Sequence, residues 1–305
     1  MNQSGEPNST SDCFYELGID VGAISTKVLL LKDGKEVLGS LVRPTSMEPG
    51  KLAEEMMREL LTPHNLHQDQ LQSIVATGQG RRAVSFATMA RTEITAFARA
   101  AYHQHPEAAL AVDFGGQGVR VMKLGELGIV SDFKTNDKCS SGTGCFLDTA
   151  AIALELGIQD IGELSQRSES PANVTTSCTV FMESELVSLV ARGEKKEDIL
   201  AGINAMVARK LRGLVNSTRS EGTVFIGGGV AQNQGLMAVV KETLDQDVVL
   251  AEEPQFTAAL GAALLAPKPW DEDDVELDWE EEDEGTKREG WSSLLKRLFG
   301  RGKEK

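Results

Sequence analysis

Aromatic side chains are scarce in this chain of 305 residues, making up only 5% of it. An all-β sandwich or barrel draws heavily on such residues. Their shortage, with 30 glycines and a hydrophobic fraction of 41%, points to an α/β protein built on small side chains. Cysteine is also sparse. Four cysteines do not make a disulfide framework in a chain of this length, so they are expected as free thiols or ligands in a reducing compartment. The longest apolar run near the end, Phe256 to Ala266, is far short of the ~20 residues needed to span a bilayer. The first residues, "MNQSGEPNSTSD", lack the apolar core of a secretory signal. A cytoplasmic protein with no transmembrane segment is expected. A basic excess is missing as well: the formal charge is −15, which argues against nucleic acid as the main partner. There is no G-x-x-x-x-G-K-[ST] and no G-x-G-x-x-G following a strand, so P-loop and Rossmann readings fail.

The acidic excess is concentrated. Residues 271–284, "DEDDVELDWEEEDE", hold eleven acids and no base, and the rest of the chain carries a net charge of only about −4. This divides the chain. Residues 1–15 read as a polar leader, with globular patterning from about Phe14. A first half is expected over 16–108 and a second over 109–266, whose last helix may be shared with the first half. An acidic linker occupies 267–290. A short basic amphipathic helix follows at 291–305, with Trp291, Leu294, Leu295, Leu298 and Phe299 on one side.

Within the body a pattern repeats. "LGIDVGAISTKVLLL" (Leu17 to Leu31) aligns with "LAVDFGGQGVRVMKL" (Leu110 to Leu124) at an offset of 93 residues. Each reads as a strand, a tight glycine turn and a second strand, a β-hairpin with an aspartate before the turn. Two copies suggest a duplicated domain with a cleft between its halves. "IVATGQGR" (Ile74 to Arg81) and "TVFIGGGVAQN" (Thr223 to Asn233) are further glycine turns after apolar strands, the second running into a helix. Helical periodicity marks 146–156, 180–192 and 197–215.

Glycine turns let backbone N–H groups approach phosphate oxygens, and a carboxylate at each turn can hold a hydrated Mg²⁺. Asp20 with Gly22, Ser25, Thr26 and Lys27 would form one phosphate site. Asp113 with Gly115, Gly116 and Gln117 would form the other, and Gly227, Gly228 and Gly229 add a third turn before a helix. The bland alternative is that each aspartate only forms its own turn.

A different chemistry sits in "NDKCSSGTGCFLD" (Asn136 to Asp148). Cys139 precedes one expected helix and Cys178 precedes another, so both lie at helix N-termini, where the dipole favours a thiolate. An anionic [4Fe–4S] cluster would be well placed between two such ends. One chain offers only two cysteines in matched positions, and a twofold dimer would supply four. Cys145 reads as a small residue in the first helical turn and Cys13 as a bystander. The alternative for Cys139 and Cys178 is a pair of buried thiols.

The D-x-G repeat and the late GGG turn resemble the actin, sugar-kinase and heat-shock-chaperone ATPase superfamily. "NDKCSSGTGCFLD", "SCTVFMESELVSLVARGEKKEDILAGI", "FIGGGVAQNQGL" and "PQFTAALGAAL", in this order over roughly Leu17 to Ala266, are similar to the 2-hydroxyglutaryl-CoA dehydratase activators, relatives of the benzoyl-CoA reductase ATPase subunits. The resemblance implies a duplicated actin-like α/β fold with a nucleotide cleft between its halves. It implies ATP/ADP bound with Mg²⁺, and a homodimer sharing one [4Fe–4S] cluster on Cys139 and Cys178. It also implies an electron taken from a ferredoxin or flavodoxin and passed to an iron–sulfur acyl-CoA dehydratase or reductase. On that reading Asp20 and Asp113 serve Mg²⁺, Gln117 or Asp113 positions the attacking water, and the GGG turn with Asn233 holds the adenosine. Rival readings are a permanent ATPase subunit of a reductase, a small-molecule kinase without a cluster, and a non-catalytic switch. The chain departs from the pattern at Ala23 and Ile24, where hydroxyl residues are usual. It departs again at Gly118, Val119 and Arg120, where an acid, a hydroxyl and a lysine are usual.

Overall fold

The computed structural model describes residues 13–136, 143–175 and 179–266. The acidic linker 267–290, the tail 291–305, the leader up to residue 12, and both Cys139 and Cys178 lie outside the described residues. The first sheet begins with strands β1 (Tyr15–Val21), β2 (Ser25–Lys32) and β3 (Glu36–Pro44), followed by helix α1 (Pro49–Leu61). Strands β4 (Ser73–Thr77) and β5 (Met89–Ala90) complete it. Strand β1 thus starts at Tyr15, the last residue of the stretch read as leader. Helix α2 (Glu93–Gln104) then leads to the second sheet, with Thr92 as its N-cap accepting from the Thr95 amide at 3.2 Å.

The second sheet contains β6 (Leu110–Phe114), β7 (Val119–Leu124) and β8 (Val130–Thr135). Helices α3 (Gly144–Ala153), α4 (Ile161–Ser165), α5 (Thr179–Ala191) and α6 (Lys196–Ser217) follow. The chain returns through β9 (Val224–Gly227), α7 (Gln234–Thr243), β10 (Val248–Leu250) and α8 (Thr257–Leu264). The helical stretch expected over 146–156 stops at Ala153 because Glu155 adopts a left-handed φ of 55°.

The strand orders are β3-β2-β1-β4-β5 and β10-β9-β6-β7-β8. Reversing the second gives β8-β7-β6-β9-β10, the same plan as the first. In both, a central strand pairs antiparallel with its hairpin partner and parallel with the next strand. The expected hairpins are present in register, Asp20 opposite Lys27 and Asp113 opposite Arg120.

The central strands are buried on both faces, as helix-covered strands are. On β2, Val28 and Leu30 join the cluster with Met56, Met57 and Leu60 of α1, while Leu29 and Leu31 join Ala259 and Ala263 of α8. The alternation of side chains along a strand makes this division. In the second sheet, Leu110, Val112 and Phe114 pack beneath α3, α6 and α7, and Ala111 with Phe225 packs against Phe97 of α2. Helix α8 returns to pack on β1, β2 and β4, and it crosses α2. The crossing is close: a Cβ on Gly261 would lie 1.6 Å from the Ala96 carbonyl oxygen. Only glycine fits there.

Candidate functional site

The hairpin turns are built alike. The Gly22 amide donates to the Ser25 carbonyl at 3.1 Å, and the Gly115 amide donates to the Gly118 carbonyl at 2.9 Å. At the next-to-last position of each first strand a carboxylate pairs with a cation on the opposing strand. Lys27 Nζ donates to Asp20 Oδ2 at 3.0 Å, and Arg120 Nη1 donates to Asp113 Oδ2 at 2.9 Å. Strand alternation puts Ser25 and Lys27 on the cavity side and Thr26 on the other. Thr26 is fully buried, and its hydroxyl bonds Thr45 Oγ1 at 3.0 Å. Thr45 Oγ1 in turn donates to the Gly22 carbonyl at 2.7 Å. Thr26 therefore braces the first hairpin turn from behind and does not face the cavity.

Each aspartate is also crowded from the parallel neighbouring strand. Gly78 (φ +90°) follows β4, and a Cβ there would lie 2.6 Å from Asp20 Oδ1. Gly228 (φ +87°) follows β9, and a Cβ there would lie 2.8 Å from Asp113 Oδ1. Positive φ and close approach both demand glycine at these two positions. Gly229 has open space around it and faces the cavity, whereas Gly227 packs against Thr257 and Phe97 away from it.

The turns open onto one cavity of about 830 Å³. Asp20, Gly22, Ser25 and Lys27 line it from the first sheet, and Asp113, Gly115, Gly116 and Gln117 from the second. Gly228, Gly229 and Asn233 line it further along. Of the residues assigned to nucleotide or Mg²⁺ from the sequence, Thr26 and Gly227 do not reach it. Asn233 caps α7 by accepting from the Leu236 amide at 2.9 Å. Its Nδ2 is buried without a hydrogen-bond partner, a donor left for a ligand. Ile24, 42% exposed, lies against Gly116, so the two turns touch across the cavity at a position where the sequence departs from the pattern it resembles.

Several lining residues carry no sequence motif. Glu93, at the start of α2, pairs with Arg120 Nη2 at 2.5 Å. The Arg120 guanidinium thus serves two carboxylates, a fork that a lysine ammonium cannot reproduce. Burial pushes the Asp113 carboxyl above its ordinary value against the pull of Arg120, and the Asp20 charge adds to the rise. Burial raises Glu93 in the same way, again opposed by Arg120. Asp148, the last residue of "NDKCSSGTGCFLD", also lines the cavity, and burial raises its carboxyl. Helix α3 contacts the second turn directly. The Gly144 amide donates to the Gly115 carbonyl at 3.1 Å and the Cys145 amide to the Gly116 carbonyl at 2.8 Å. Cys145 is half-buried in the first turn of α3, and burial, followed by the Asp148 charge, raises its thiol. The cavity can accommodate a polyphosphate between two carboxylate–cation pairs, with a polar end near Asn233.

The comparisons agree with this geometry. Residues 17–266 match the BadF/BadG/BcrA/BcrD ATPase family. The (R)-2-hydroxyglutaryl-CoA dehydratase activating ATPase of Acidaminococcus fermentans is 37% identical over 256 residues, covering 83% of this chain and 97% of that protein. The solved activator of 2-hydroxyisocaproyl-CoA dehydratase from Clostridium difficile, with bound ADPNP, superposes with a TM-score of 0.78 at 33% identity. That match covers 83% of this chain and 94% of that one. A ROK family glucokinase from Streptomyces griseus, at 12% identity and a TM-score of 0.53 over 83% of this chain and 99% of its own, shares the fold alone. Two sheets of one plan, with mirrored aspartate turns on a common cavity, are the duplicated actin-like ATPase fold, and this chain is an ATPase belonging to the BadF/BadG/BcrA/BcrD family.

Proposed function

We propose that this chain is an ATP-driven activator that delivers a low-potential electron to an iron–sulfur acyl-CoA dehydratase or reductase. The observation that carries the reading is the bond between nucleotide turn and cysteine helix. The first two amides of α3 are donated to Gly115 and Gly116, and Cys139 lies five residues before that helix. The names of the relatives, activators of 2-hydroxyacyl-CoA dehydratases, support the partner class.

In this reading the halves 16–108 and 109–266 close on ATP, and the phosphates lie between the Asp20 and Asp113 turns. Among the described residues no three His, Cys, Asp or Glu side chains group as a metal site. Two carboxylates suit Mg²⁺, which takes its remaining ligands from phosphate and water. Asp20 and Asp113 would hold it. Gln117 on the second turn would orient the attacking water, with Asp113 beside it. Gly228, Gly229 and the unpaired Nδ2 of Asn233 would receive the adenosine end. Closing the second turn would carry α3 with it, because the two share backbone hydrogen bonds.

A [4Fe–4S] cluster, when bound, would supply one-electron chemistry. The donor set fits it: Cys139 lies five residues before α3 and Cys178 directly before α5, and those helices pack together. Two thiols per chain call for a homodimer. Large apolar side chains left exposed on the same helices, Ile152 on α3 with Phe181, Val187 and Val190 on α5, are consistent with a partner surface. The electron donor would be a ferredoxin or flavodoxin in the cytoplasm. Among the described residues no helix is long and apolar enough to cross a membrane.

The test is iron and sulfide content, with the visible spectrum, of anaerobically purified protein and of Cys139→Ser and Cys178→Ser. The expected result is about four irons per dimer, lost in both variants. Absence of iron even after reconstitution would overturn the reading and bring forward a kinase on the same fold.

A further inference from the structure

The two phosphate hairpins differ in one respect beyond their turns. Among the described residues Asp20 is paired with Lys27 alone in the first, while in the second the cation is shared. Arg120 gives Nη1 to Asp113 at 2.9 Å and Nη2 to Glu93 at 2.5 Å. Glu93 comes from neither hairpin. It is the first residue of α2, the helix joining the sheets, and its side chain is only 18% exposed, at the cavity wall. A carboxylate beside a phosphate site is repelled by the ligand, so Glu93 is not placed to bind nucleotide.

We propose that Glu93 is a positioning residue that limits the hold of Arg120 on Asp113. A guanidinium presents a planar fork, and its preferred arrangement on a carboxylate is bidentate. Nη2 is engaged by Glu93, and Nη1 donates to Asp113 at Oδ2. Asp113 Oδ1 is left to a cation arriving with the nucleotide. Without Glu93 the fork turns onto both oxygens of Asp113 and competes with Mg²⁺. Arginine at 120 makes this third carboxylate necessary, because a lysine there offers a single point of charge. The inference rests on the reading of Asp113 as a Mg²⁺ ligand.

The experiment titrates Mg²⁺ against the thermal shift given by ADP, and against ATP turnover, in full-length protein. Glu93→Gln is expected to raise the half-saturating Mg²⁺ concentration on the order of tenfold, the weight of one charge-assisted hydrogen bond. ADP binding without metal should stay within about twofold of wild type. Glu93→Asp should recover part of the loss. In an Arg120→Lys background, Glu93→Gln should shift the Mg²⁺ requirement by less than about twofold, as expected when one residue acts through the other. An unchanged Mg²⁺ requirement in Glu93→Gln would overturn the proposal, as would an equal shift in both backgrounds. If wild type shows no divalent-cation dependence in either readout, the Mg²⁺ reading itself falls and takes the proposal with it. The thermal midpoint of each ligand-free variant separates these outcomes from misfolding.

Discussion

A methyl group on Gly228 would sit 2.8 Å from Oδ1 of Asp113, closer than a carbon and an oxygen normally approach. Its backbone, at φ +87°, is already in the region side chains avoid, and the same Cβ would lie 2.5 Å from the Phe114 carbonyl oxygen. The turn after β9 is therefore pressed against the carboxylate at the end of β6, and the order of the parallel pair makes it so.

This contact sets an expectation for a pair of adjacent variants. Gly228→Ala should destabilise the protein by about 2–4 kcal/mol, from strain plus overpacking, and should abolish turnover by displacing Asp113. Gly229→Ala meets nothing within 4 Å and should leave stability within about 0.5 kcal/mol of wild type. Because Gly229 faces the cavity, its variant should still bind ADP more weakly. Urea unfolding and ADP titration on the two proteins check both halves of the contrast.

On the proposed reading Asp113 holds Mg²⁺ and lies beside the attacking water, so Asp113→Asn should lower ATP turnover by roughly 10²–10³-fold. Its effect on stability should have the opposite sign. The Asp113 carboxyl is raised above its ordinary 3.8 by burial, so the folded state holds the proton more tightly than the unfolded chain does. Stability from this group is present at pH below 3.8 and is lost as pH rises towards the folded value. Glu93, raised likewise, acts in the same direction. Nucleotide-free Asp113→Asn should therefore melt above wild type at pH 7, and the gap should narrow on acidification. Calorimetry across pH measures this. A variant less stable than wild type at pH 7 would contradict it.

Thr26→Val tests a residue that supports the site from behind. It removes the Thr26–Thr45 hydroxyl pair, which steadies the Gly22 carbonyl, and should cost about 1–2 kcal/mol. Because Thr26 does not line the cavity, the KM for ATP should rise no more than a few-fold, with kcat nearly unchanged. Loss of kcat alone would mean that Thr26 contributes to the chemistry directly.

Much of the site could be read from the chain. The two hairpins, the 93-residue repeat and the aspartates at their turns were legible because strand alternation and glycine turns are local signals. The helix after "IGGGVAQN" was legible for the same reason, since Asn233 is an N-cap by type as well as by position. Other features carried no local mark. Thr26 and Lys27 are neighbours in the sequence, and only the direction of the strand sends one into the cavity and the other behind it.

What the sequence determined alone is the repeat, the residue types at its turns and the order of Cys139 and Cys178 along the chain relative to the helices that follow them. Periodicity and residue type suffice for these. What the tertiary structure decided is which distant groups meet. Glu93, on a helix with no motif, reaches Arg120 because α2 passes between the two sheets. The α3 amides meet Gly115 and Gly116 because that helix docks against the second turn, and Gly228 meets Asp113 because β9 lies parallel to β6. Such contacts depend on packing between segments far apart in the chain, and no local pattern encodes them.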